Sequence, residues 1–260
     1  MMWSLERIKK IGFSLLVLLT FSNQFAFAQN SNSIEAGRFF SVGFSFSSYV
    51  PGGDLADRFG THFSLGVNPQ FKTKSNWIFS ANGQFLFGND VKQPGLMANL
   101  YSEKNELLDE NGQIANVLLF QRGMTFSLRT EKLFPINAEK NPNSGIIVGL
   151  GLGFIQHKIR IEHQNNRMPQ IDNGYEKGYD RLTNGTLLEQ NIGYFHISNK
   201  KLTNFRVELV FNQGFTQSRR DFNFDDGAKD TQKRLDLFTG VRFTWLLPLY
   251  RRMANDYYIN

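Results

Sequence analysis

The chain of 260 residues contains no cysteine. That excludes a disulfide framework, a thiolate metal site and an acyl anchor on a lipobox cysteine. A long apolar run is missing as well. The N-terminal stretch Ile11 to Phe21 is only about half of the roughly 20 residues that a membrane-spanning helix needs. Histidine is scarce, with 4 in the whole chain, and the spacing of His62, His157 and His163 matches no metal-ligand pattern. Charge of one sign is weak: 29 Lys and Arg against 23 Asp and Glu leave +6, scattered along the sequence, so nucleic acid is not expected as a partner. No glycine-rich phosphate cradle joins a strand to a helix, and no cofactor is expected.

Export signals are present. Arg7, Lys9 and Lys10 precede the apolar stretch, and Ala26-Phe27-Ala28 follows it, which predicts a secretory signal peptide over 1–28, cleaved before Gln29. Without it the formal charge falls from +6 to +4. A short segment, 29–36, should then lead into a β-domain over 37–250, with a polar tail at 251–260.

Phenylalanine is plentiful, at 26 residues, and it recurs at period two. Phe40, Val42, Phe44 and Phe46 share one face while Ser41, Gly43, Ser45 and Ser47 share the other, which predicts a strand. Seven more such segments follow: Thr61 to Lys72, Trp77 to Gly88, Val117 to Thr130, one around Ile146 to Phe154, and three around Leu188 to Tyr194, Phe205 to Phe215 and Leu235 to Leu247. Their apolar faces carry Phe, Leu and Val; their opposite faces carry Gly, Ser, Asn, Gln and charge. A soluble sandwich buries its apolar faces together, whereas this inside-out distribution suits a sheet closed on itself in lipid, where every backbone group must pair within the protein. The mean hydropathy of −0.34 does not oppose this, because half of every strand and all the outer loops are polar. The predicted fold is therefore all-β, an eight-stranded antiparallel up-and-down transmembrane barrel.

Long connections alternate with short ones. Pro51 to Gly60, Asn89 to Asn116, Glu162 to Asn184 and Ser218 to Lys233 should face outward, and the turns near Lys74, Glu139 and Lys200 should face the periplasm with both termini. Aromatic girdles are expected at Phe71, Trp77, Phe134, Trp245 and Tyr250 on the periplasmic side and at Phe63, Phe87 and Phe215 on the outer side. On these features the chain resembles the small eight-stranded outer-membrane barrels of Gram-negative bacteria, the OmpA-transmembrane and OmpX-like group, at the level of architecture. The resemblance implies outer-membrane lipid and the barrel-assembly machinery as partners, and a structural or interaction role in the envelope, with an accessory subunit of an assembly or secretion machine as one form of it. One departure is that the chain continues past Tyr250 to Asn260.

Eight strands enclose a lumen just wide enough for side chains to fill, so at most a narrow pore is open to this chain. Seven inward charges, Arg129, Glu131, Glu189, Arg206, Glu208, Asp236 and Arg242, are expected to pair with one another. Arg122 falls in an otherwise apolar row and should reach a headgroup, meet a partner or mark a bulge. Tyr175, Tyr179 and Arg181 lie in a Tyr-, Arg- and Gly-rich loop suited either to a protein contact or to a self-packed cap. His62, His157 and His163 are read as solvated rim residues, and Asp221, Asp225, Asp226 and Asp230 as a solvated acidic loop without a calcium pattern.

An alternative enzymatic reading comes from His196-Ile197-Ser198-Asn199, which looks like the H-x-S-N element of the lipid A deacylase barrels. That resemblance implies His196 as base and Ser198 as nucleophile, and Glu208 on the next strand is the acid that can be nominated to orient the base. Against it stands the ordinary turn chemistry of Ser-Asn. The primary expectation is a non-enzymatic barrel with no catalytic residues and no metal.

Overall fold

A computed structural model of the chain describes residues 37–104, 106–163, 167–198 and 203–249. The expected signal peptide, the segment 29–36, Tyr250 and the tail lie outside the described residues. Eight strands follow in order: β1 (Phe39–Gly53), β2 (His62–Lys72), β3 (Trp77–Gly88), β4 (Val117–Pro135), β5 (Gly145–His163), β6 (Thr183–Ile197), β7 (Asn204–Ser218) and β8 (Lys233–Leu249). Each pairs antiparallel with its neighbours in sequence, and β1 pairs with β8 from Phe40↔Leu249 to Gly53↔Asp236, closing the barrel. Closure leaves no open sheet edge along the shared height of the wall. No helix among the described residues is long and apolar enough to cross a membrane, which says nothing of a β-barrel, since barrels cross with strands.

The faces follow the alternation in the sequence. Phe40, Phe44 and Phe46 are exposed and Ser41, Ser45 and Ser47 buried; on β5, Leu150 and Leu152 are 61% and 64% exposed, part of an apolar outer wall of the kind that marks a membrane or protein contact. Trp77, Phe134 and Trp245 stand outward near the turn end, and Phe63 and Phe215 near the loop end, as the girdles require.

Two features of the wall were not anticipated. First, β4 and β5 are longer than their apolar patterns, each 19 residues, and they pair as far as Val117↔His163, beyond the Gly88↔Gln121 end of the β3–β4 ladder. Polar residues continue a strand as readily as apolar ones once the partner ladder is in place. Second, the lumen is layered rather than uniformly polar. At the turn end, Phe39, Ile78, Leu133, Ile147, Phe195, Ile197 and Leu246 form a buried apolar floor. At the loop end, Tyr49, Leu86, Ile155, Leu187, Val210 and Phe238 from the wall pack with Leu55, Phe59, Met97, Met168, Ile171 and Tyr179 from the outer connections. Both mouths are thereby filled by apolar side chains, and the charged layer lies between them.

The turns carry local signatures. Between β2 and β3, the Thr73 hydroxyl donates to Trp77 O (3.2 Å) and accepts from Trp77 N–H (3.0 Å), while Asn76 takes the left-handed φ of 63° that asparagine tolerates.

Candidate functional site

The middle layer of the lumen is an ion-pair network built on four staves. Arg206 of β7 donates to Glu131 of β4 and Glu208 of β7, both at 2.5 Å, and to Gln70 of β2 at 2.8 Å. Arg129 of β4 donates to Glu189 of β6 at 3.0 Å and to Glu208 at 3.3 Å. Arg242 of β8 reaches Glu189 at 2.7 Å and the Tyr49 hydroxyl at 3.0 Å. Asn191 donates to both Glu131 (2.7 Å) and Glu208 (2.8 Å), and Ser127 donates to Glu189 (2.9 Å). The three guanidinium groups and three carboxylates are all fully buried, and their formal charges cancel. Burying charge is costly unless it is paired and hydrogen-bonded, and here each group has several partners.

Glycine makes the room. Gly151 and Gly149 of β5 stand opposite Arg129 and Glu131 in register, and a Cβ at either would lie 2.7 Å from Arg129 Cγ or 2.5 Å from Glu131 Cγ. The missing side chains let the two long charged ones lie across the neighbouring stave. On the opposite side of the lumen the polar filling is neutral: Gln84 bridges Ser45 (3.0 Å) and Asn68 (3.2 Å), and Gln70 donates to Ser41 (2.9 Å).

Six of the seven expected inward charges thus meet. Asp236 is the exception. It belongs to a separate cluster nearer the loops, where Arg58 Nη2 donates to Oδ1 at 2.5 Å, the Thr216 hydroxyl to Oδ2 at 2.6 Å, and His157 Nε2 lies 2.9 Å from Oδ2. Arg58 comes from the connection after β1, so Asp236 latches that loop to β8. The reading of His62 and His157 as solvated rim residues is corrected: both are buried, His62 against Tyr49 and Phe238, and His157 against Phe59 and Asp236. The outer connections fold over the mouth and remove them from water. His163 does stay near the rim, 2.7 Å from Asp172, whose carboxyl that hydrogen bond holds below its ordinary range. No cluster of three or more His, Asp or Glu among the described residues is placed to hold a metal ion.

The loop residues separate into base and tip. Tyr179, offered by the sequence either as a contact or as part of a self-packed cap, is buried in the cap, its hydroxyl accepting from Asn99 (3.2 Å) and its ring meeting Phe224 edge-on at 5.5 Å. Arg181 is also inside, donating to Asp225 (2.7 Å) and Asp226 (2.5 Å) with its backbone at φ 50°. Burial opposes the charge of Arg181, but these two carboxylates outweigh it and raise its pKa, and the same contact lowers that of Asp226. Asp225 and Asp226 are therefore clamp residues rather than a free acidic loop, and Asp230 pairs with Arg234 at 2.6 Å; Asp221 alone of the four stays fully exposed. What the cap does present is aromatic: Tyr175, Phe222 and Phe224 are exposed, with Tyr175 and Phe222 each 6.2 Å from Phe224.

Of the enzymatic alternative, His196 and Glu208 do not meet. His196 points outward beside Tyr194 and Phe205, whereas Glu208 points inward into the ion-pair network. The Ser144 hydroxyl lies 3.4 Å from His196 Nδ1, and the backbone N–H of Ser198 donates to Asn204 Oδ1 at 2.9 Å.

No protein-family profile matches the sequence, and no curated protein matches it. Solved structures do show likeness. Neisserial surface protein A is 7% identical, with 81% of this chain and 98% of that chain covered and a TM-score of 0.42. Ail of Yersinia pestis is 7% identical over 82% and 99%, with a TM-score of 0.37, and the outer membrane protein OprG of Pseudomonas aeruginosa is 12% identical over 82% and 97%, with a TM-score of 0.37. The chain has the eight-stranded barrel architecture. Its own closed registers carry that conclusion.

Proposed function

We propose that the chain is a non-enzymatic barrel of the Gram-negative outer membrane, with its termini and short turns in the periplasm, acting as a structural or interaction component of the envelope. The observation that carries this reading is the filling of the lumen: apolar clusters occupy both mouths and a neutralised ion-pair layer lies between them. A barrel filled in this way works through its outside. Lipid covers the apolar wall, which leaves the outer loops as the surface for a partner.

On those loops Tyr175, Phe222 and Phe224 suit a protein contact, because exposed aromatics on a rigid base bind with little loss of conformational freedom. The base is supplied by buried Tyr179 and by the Arg181 clamp on Asp225 and Asp226. An accessory role in an assembly or secretion machine is the form of this function that such a surface serves best. The test is purification from native membranes in mild detergent after cross-linking. A defined partner that is lost in the Tyr175→Ala, Phe222→Ala double variant is expected; a chain that always runs alone would refute the interaction role.

A further inference from the structure

The outward column shared by β4 and β5 reads, from the turn end upward, Phe134↔Ile146, Lys132↔Val148, Thr130↔Leu150, Leu128↔Leu152, Phe126↔Phe154, Met124↔Gln156, Arg122↔Lys158 and Phe120↔Arg160. Apolar pairs are bracketed by Lys132 below and by three cations above. Lys132 lies 4.9 Å over the Trp77 ring, the arrangement of an interfacial anchor. From Lys132 to Arg122 the strand rises about 33 Å at roughly 3.3 Å per residue, or about 25 Å along the barrel axis at a tilt near 40°, the height of the apolar band of such barrels. Arg122 and Lys158 therefore sit at the outer interface, not in mid-bilayer.

Their pairing is unusual. Two cations stand directly opposite each other, which is destabilising in a sheet unless an anion joins them. No carboxylate among the described residues pairs with Arg122; its guanidinium lies over Phe120 (4.8 Å) and donates to the carbonyl oxygens of Gln121 (2.8 Å) and Gly88 (3.4 Å). Lys158 is 3.7 Å from Asp180, but Asp180 is already held by Arg220 at 2.8 and 2.5 Å. Arg160 pairs with Glu162 at 2.7 Å and remains half exposed. Glu176 also acts on Arg220, so the four cations Arg122, Lys158, Arg160 and Arg220 stand against the three carboxylates of Glu162, Glu176 and Asp180, with Arg122 unmatched, immediately above a lipid-facing column.

We propose that Arg122, Lys158 and Arg160 form a binding site for the phosphate of a phosphorylated lipid whose acyl chains lie on the column from Met124 to Leu128 and from Leu150 to Phe154. Continuity with the apolar column selects a lipid over a soluble phosphate: one molecule satisfies both surfaces. The guanidinium groups donate to phosphate oxygens in forked geometry, and Lys158 adds a mobile point charge. This inference rests on the membrane reading above.

The test uses the full barrel folded in a neutral maltoside detergent, titrated by native mass spectrometry with phosphatidic acid and with phosphatidylcholine. Phosphatidic acid should bind preferentially, and the variant Arg122→Gln, Lys158→Gln, Arg160→Gln should bind it about a hundredfold more weakly, at roughly the worth of one interfacial cation each. The charge-preserving exchange Arg122→Lys with Lys158→Arg should retain the preference. Should the triple variant not fold, Lys158→Gln alone carries the test, since its side chain is 45% exposed and a several-fold loss is still expected. Equal binding by wild type and neutralised variant would overturn the proposal, as would displacement of the lipid by equimolar inorganic phosphate or sulfated polysaccharide, which would make the site a general anion patch. A chain that enters no bilayer would instead defeat the membrane reading, and this inference with it.

Discussion

Replacing Arg206 by methionine should be among the most damaging single changes in the wall. Its guanidinium is fully buried and donates at 2.5 Å to two carboxylates, those of Glu131 and Glu208. Methionine fills much of the same volume but leaves the six-residue layer one positive charge short, between two apolar plugs that bar water. Removing one partner of a buried ion pair costs about 3–5 kcal/mol. Asn191 and Arg129 remain in contact with both carboxylates, so the lower end, about 3 kcal/mol, is the expected loss. Adding Glu208→Leu restores neutrality and should recover most of that loss, leaving the double variant within about 1 kcal/mol of wild type, because apolar isosteres often replace buried pairs at no net cost. The assay is urea unfolding of the barrel refolded into lipid vesicles, followed by tryptophan fluorescence and by mobility on unheated gels. An Arg206→Met barrel within about 0.5 kcal/mol of wild type, or a double variant worse than the single, would refute the account of the layer as a coupled, neutralised network.

Three further expectations concern the cap and the wall. Asp236→Asn removes the charge that holds Arg58, so the connection after β1 should open more often and trypsin should cleave after Arg58 at least about tenfold faster, from the loss of one buried ion pair; an unchanged rate would count against the latch. The hydrogen bonds from His163 to Asp172 and from Arg181 to Asp226 lower both carboxyl pKa values, so their stabilisation is complete above the ordinary carboxylate range and is lost as pH falls through the lowered values. Amide protection over 175–182 and 223–228, corrected for intrinsic exchange, should accordingly fall between pH 6 and pH 3, and equal protection at both would show that these contacts do not hold the cap. Gly151→Val should displace Arg129 and destabilise the barrel by about 1–3 kcal/mol, whereas Gly83→Ala, whose Cβ meets nothing within 4 Å, should be close to neutral in the same urea titration.

Period two made the barrel legible because each strand has one face in lipid and one in the lumen, and a single register fixes both. The inward direction of Arg129, Glu131, Glu189, Arg206, Glu208, Asp236 and Arg242 followed from that rule alone. Which charges meet did not follow, since contact depends on the stagger between staves; Asp236 finds Arg58, a residue in a connection with no periodicity to mark it. The apolar floor was hidden for a related reason. Ile78, Leu133 and Leu246 lie in runs where both faces are apolar, and an alternation rule that assigns apolar residues to lipid passes over them. Composition marked the loop from Gly174 to Gly185 as suited to contact or to a self-packed cap, and only the fold separates exposed Tyr175, the first residue of a 3-10 turn, from buried Tyr179, the residue that follows it.

The absence of cysteine allows the central claim to be tested residue by residue. Single variants Phe126→Cys, Ser127→Cys, Leu128→Cys, Arg129→Cys and Thr130→Cys, spin-labelled in the reconstituted barrel, report collision rates with lipid-soluble oxygen and with a water-soluble nickel chelate. High oxygen and low nickel accessibility are expected at 126, 128 and 130, and low accessibility to both at 127 and 129, where the lumen is filled. A profile without period two, or nickel access at 126 and 128 equal to that of a soluble surface, would contradict a wall that turns its phenylalanines and leucines to lipid.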